Sequence, residues 1–101
     1  MIPPRKRAPR RAIVALPENN RRSLPTDRVT VLETANGIDL TALLRAGMDS
    51  GSVAGPWYGE LPRYVWSRAG DNVREFQLVD VEQGGYSSYE LHPSEWPEGL
   101  A

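Results

Sequence analysis

The sequence predicts a small α+β domain: an antiparallel β-meander with a hairpin and one short helix, preceded by an extended basic arm. Three observations predict it. Residues 64–91 hold three β-rich segments separated by two turn signals. Residues 40–48 carry apolar side chains at helical spacing. The first 22 residues concentrate proline and arginine.

The meander reads Tyr64-Val65-Trp66-Ser67-Arg68, a Gly70-Asp71-Asn72 turn, residues 73–81, a Gly84-Gly85 turn, then residues 86–91. Short glycine-containing turns between such runs favour antiparallel neighbours. Alternation assigns Trp66, Phe76, Leu78, Tyr89 and Leu91 to one face, with the helix packed over it. Val73, Val79 and Val81 fall on the other. That second face is then partly apolar and calls for a bulge, another layer or a partner.

Upstream, residues 29–34 are a β-branched run followed by Asn36-Gly37, a strong hairpin signal, with residues 38–40 as the return strand. A helix follows over residues 41–48, with Asp39 or Thr41 as its N-cap. Leu40, Leu43, Leu44 and Met48 form its apolar stripe. Gly47 or Gly51 is expected to stop it. Residues 49–62, rich in glycine and aromatics, read as an ordered loop, and residues 92–99 as an acidic tail interrupted by Trp96.

Composition divides the chain at the start of that body. Residues 1–26 read as arm and linker, and residues 27–101 as the domain. Pro3, Pro4 and Pro9 together with like-charge repulsion make the arm extended. Ala12-Ile13-Val14-Ala15-Leu16 is a short strand or an apolar plug, and residues 18–26 are polar. A chain of 101 residues supplies one domain with a modest core.

The net charge of −1 conceals an asymmetry. Residues 1–22 carry Arg5, Lys6, Arg7, Arg10, Arg11, Arg21 and Arg22 against Glu18 alone, a net of +6. The remaining residues set five arginines against twelve acids, a net of −7. Opposite charge in two parts of a short chain marks a tail with its own partner. The bland reading is an arm folded back on its own acidic body.

Guanidinium groups displace counterions from phosphates, so the arm suits a polyanion, with nucleic acid contacted through residues 1–22. No aromatic side chain is interleaved there, so base stacking or sequence reading is not expected. An acidic protein surface is the competing partner. Among the aromatics, Trp66 and Tyr89 are expected in the core, and Trp57, Tyr58 and Trp96 at an interface.

Catalytic signals are weak. The absence of cysteine excludes disulfides, thiolate metal sites and cysteine nucleophiles, and fits a reducing compartment. His92 is the single histidine, and with Glu75, Glu90 and Arg74 it sketches an acid–base ribonuclease. A histidine before proline at a strand end is more commonly a surface or capping residue. The acids lack metal-ligand spacing and no glycine loop carries a phosphate-binding lysine, so no metal or cofactor is expected. The longest purely apolar run, Ala12–Leu16, is too short for a membrane span. A cytoplasmic location is expected, or a virion if the chain is phage-encoded.

Three functional readings follow, in order. The first is a non-catalytic module of a larger assembly, in a phage virion or a bacterial complex, bound to a protein partner or to further copies of itself. The second is a small regulator or antitoxin with a DNA-binding arm. The third is a ribonuclease-type toxin using His92.

Overall fold

The computed structural model describes residues 24–34, 37–97 and 100. The predicted α+β class is what is found, as a five-stranded sheet with one α-helix. The elements are β1 (Thr30–Val31), α1 (Leu40–Asp49), β2 (Val53–Tyr58), β3 (Leu61–Ala69), β4 (Asn72–Asp80) and β5 (Gly85–Leu91), with 3-10 turns at Thr26–Arg28 and Pro93–Glu95. The sheet order is β1-β5-β4-β3-β2. The basic arm and the apolar run at residues 12–16 lie outside the described residues.

The meander holds as β3, β4 and β5, each antiparallel to the next. Asn36 of the expected hairpin turn lies outside the described residues, and the strand before it makes a longer-range pairing. Thr30 and Val31 lie parallel to Gly85 and Tyr86, which makes the sheet mixed, and Leu40 opens the helix instead of ending a return strand. The stretch expected to be an ordered loop is also corrected, since residues 53–58 pair with β3 as β2. Its glycine and proline disguise the strand. An edge position tolerates both, and the register shifts between Ala54 and Trp57 around the cis Gly55-Pro56 bond.

Helix α1 begins at Asp39, whose Oδ1 accepts from the Ala42 amide at 3.0 Å. Thr41, the other candidate cap, uses its Oγ1 to accept from the Val31 amide at 3.2 Å, tying the helix to β1. Leu40, Leu44 and Met48 are buried, while Leu43 is half-buried. Gly47 does not stop the helix. It lies inside it and faces the sheet, and the helix ends at Ser50 before Gly51, whose φ is +76°. Leu24 and Pro25 are buried too, so the packed body reaches back past the expected start at Asp27.

Turn length settles which side chains share a face. Ala69 pairs with Asn72 across a two-residue turn, so even positions on β3 stand beside odd positions on β4. Trp66 therefore stands with Glu75, not Phe76. Phe76 and Leu78 join Val65, Tyr86, Leu44 and Met48 under the helix. Trp66, Val73 and Leu91 form a second cluster with Ala54, and Tyr64, Tyr89, Trp96 and Leu100 pack against it. The second face is apolar, as expected, and holds Val73 as assigned, but Trp66, Tyr89 and Leu91 stand on it and not under the helix with Phe76 and Leu78. Part of the extra layer the second face called for is the chain's own C-terminal segment, and the expected bulge lies between Leu78 and Asp80. Val79 and Val81, beside it, remain exposed.

Tyr86 spans the core under the helix. Its hydroxyl donates to the Pro62 carbonyl at 2.6 Å in a buried setting. Desolvation by burial raises the phenol well above its ordinary range. Because the folded-state value is raised, stability is fully present below the unfolded value of about pH 10 and is lost as pH climbs above it. Tyr86→Phe is expected to lose about 1 kcal/mol at neutral pH, from the missing hydrogen bond. Its urea midpoint should then fall less steeply than that of the natural chain between about pH 9 and 12. Parallel declines in the two proteins would show that Tyr86 is not the titrating group.

Candidate interaction surface

β2 leaves the core as it proceeds. Val53 and Ala54 are buried, and Pro56, Trp57 and Tyr58 are exposed. Trp57 and Tyr58 pair with Pro62 and Leu61, so the strand stays registered while its outer end stands in solvent. Each of the two aromatics is 40% exposed. In the turn beyond them, the Glu60 carboxylate pairs with the Arg28 guanidinium at the exposed surface. The Trp57 indole lies over Gly55, where an added Cβ would stand 3.0 Å from its Cδ1. Two large amphipathic rings, consecutive on the strand, thus stand partly in solvent at its registered end.

Trp96, grouped with these two by sequence, is placed differently. A capping box organises the turn after β5: His92 Nδ1 accepts from the Ser94 amide at 3.1 Å, and Glu95 Oε1 accepts from the His92 amide at 3.1 Å. The chain thereby folds back and sets Trp96 against the second cluster, half-buried, with the Arg68 guanidinium 4.9 Å from its ring centroid. That geometry is a cation–π contact within the domain.

Of the groups of the acid–base reading, Arg74 and Glu90 are cross-strand neighbours, whereas Glu75 and His92 are engaged elsewhere. Glu75 is buried on the second face, where its Oε1 accepts from Trp66 Nε1 at 3.0 Å. Arg74, its neighbour in sequence, points to the opposite face and donates from Nε to Ser88 Oγ at 2.8 Å. Glu90 lies across from Arg74 on β5 and is exposed. His92 is engaged in the cap. Among the described residues, no group of three or more histidine, aspartate or glutamate side chains is placed to hold a metal ion. No helix of the described residues is long and apolar enough to cross a membrane.

Arg5, Lys6, Arg7, Arg10, Arg11, Arg21 and Arg22 lie outside the described residues. One contact that sequence reasoning missed is at the β5 edge, where Glu33 Oε1 accepts from the Ser88 amide at 2.7 Å. Nothing local in the sequence joins positions so far apart. Comparison with protein-family models, with curated proteins and with solved structures yields no match.

Proposed function

We propose that this chain is a non-catalytic interaction module of a larger assembly, which meets a protein partner through Trp57 and Tyr58. The observation that carries the reading is the exposure of these two rings at the end of β2, while the other tryptophans pack against their own domain. Aromatic anchors of this kind dominate binding energy when a partner desolvates them. The basic residues of the arm supply a second grip, on a polyanion or on an acidic subunit, with the salt sensitivity of counterion release.

The test is co-purification of the chain from its native host followed by sizing, for the natural chain and for a Trp57→Ala/Tyr58→Ala variant. The natural chain is expected in a larger particle, and the variant alone, with unchanged thermal unfolding. Loss of each anchor should weaken binding by about 2 kcal/mol or more. Deleting residues 1–22 should abolish affinity for nucleic acid that falls steeply between two salt concentrations. A natural chain that sizes as a monomer with no partner overturns the proposal.

A further inference from the structure

The two sheet edges are closed by different means. At β2, Pro56 offers no N–H and the register shift between Ala54 and Trp57 breaks the ladder, so another strand finds little to pair with. At the opposite edge, β1 covers only Gly85 and Tyr86. Its last backbone bond runs from the Leu32 amide to the Tyr86 carbonyl, 3.0 Å, and the strand ends.

Along β5, alternate residues turn their backbone groups towards this edge. The Gly84 and Tyr86 carbonyls accept from Thr30 and Leu32, and the Ser88 amide donates to Glu33. The same alternation aims the N–H and C=O of Glu90 outwards. A side-chain carboxylate therefore occupies the place at Ser88 that a neighbouring strand's carbonyl would take. Glu33 and Glu90 are both exposed, and Arg74, across from Glu90, has its Nε on Ser88 Oγ.

We propose that the side of β5 over residues 88–90, which no other strand among the described residues pairs, accepts an extended, lysine- or arginine-bearing segment of a partner protein by strand addition, with Glu33 as the exchangeable plug. An incoming carbonyl replaces Glu33 at the Ser88 amide, and the Glu90 backbone groups extend the ladder. The displaced Glu33 carboxylate stays in solvent beside the lane, where it favours a basic side chain on the incoming strand. Charge complementarity thus selects a basic strand, since Glu33 and Glu90 flank the lane. This surface lies across the sheet from Trp57 and Tyr58, so its failure and the failure of the β2 contact are separable.

The test uses the full chain, isotope-labelled, with a synthetic Arg-Val-Arg-Val-Arg peptide. Two controls are the same peptide N-methylated at alternate residues and a Glu-Val-Glu-Val-Glu peptide. Binding of the basic peptide should slow hydrogen exchange at the Ser88 and Glu90 amides by about tenfold or more. Both controls should bind at least about tenfold more weakly, and Glu33→Gln should erase most of the preference for basic over acidic peptide. Equal affinity for all three peptides, or unchanged exchange at Ser88 and Glu90, overturns the proposal. So does protection of those amides that rises with protein concentration alone, because a second copy would then be the occupant.

Discussion

Gly47→Ala is expected to destabilise the domain by about 2–3 kcal/mol, even though alanine is the better helix former by about 1 kcal/mol. Gly47 sits inside α1 where the helix crosses β3. A Cβ there would overlap the Trp66 carbonyl oxygen and stand 2.7 Å from Val65 Cγ1. The first of these atoms is backbone in the middle of a strand and cannot rotate away. Val65 is fully buried and has no free volume to enter. Relief requires α1 to lift from the sheet, which loosens Leu44 and Met48, both wholly buried beneath it. Ala46→Gly, one position earlier on the exposed side, is the control and should cost about 1 kcal/mol from propensity alone. The two urea midpoints, at unchanged slope, measure the comparison. A Gly47→Ala variant as stable as the natural chain would mean that the helix does not approach β3 so closely.

The same contact marks where local reading of a sequence stops. Gly47 and Gly51 were both candidate terminators; Gly51 follows the helix end, while the role of Gly47 is set by a strand some twenty residues on. The meander was legible because its turns are short and its partners consecutive. The pairing of β1 with β5 was not legible, because it spans more than fifty residues of chain and a local turn motif carries no information about it. The faces were confused for a simpler reason: alternation is clear within each strand, but the relation between strands depends on turn length, and the two-residue turn shifts the parity. β2 was hidden by Gly55 and Pro56, residues an edge strand accepts and a central strand rejects.

At the candidate surface the balance was similar. Trp57, Tyr58 and Trp96 were expected at an interface, and the first two of them are exposed. Trp96 turned inward through a cap that the sequence does display, with His92 followed three residues later by Glu95. Proline at the first position of that turn strengthens the signal. The Glu33 plug had no such signature, because its partner is a backbone amide, which every residue but proline carries.

Trp66→Ala should have the largest effect, about 3–5 kcal/mol, a large share of the stability of an ordinary domain. Trp66 is wholly buried and anchors the second cluster, with Ala54, Val73 and Leu91 around it and Tyr64 stacked at 6.1 Å between ring centroids. Truncation opens a cavity between the sheet and the C-terminal segment. It also removes the indole N–H that donates to Glu75, a carboxyl only 3% exposed. Trp66→Phe weights the two losses differently, since it keeps a six-membered ring in place, leaves a smaller void than alanine and removes the donor. Its expected cost is about 1–3 kcal/mol, the range for leaving a buried acceptor without its donor. A double-mutant cycle with Glu75→Gln should show coupling of at least about 0.5 kcal/mol. If Trp66→Ala costs under about 1 kcal/mol, the second face is not a packed core, and Trp96 has no platform to fold back upon. The contrast between inward Trp96 and outward Trp57 would then fail with it, and the choice of the β2 end as the contact surface rests on that contrast.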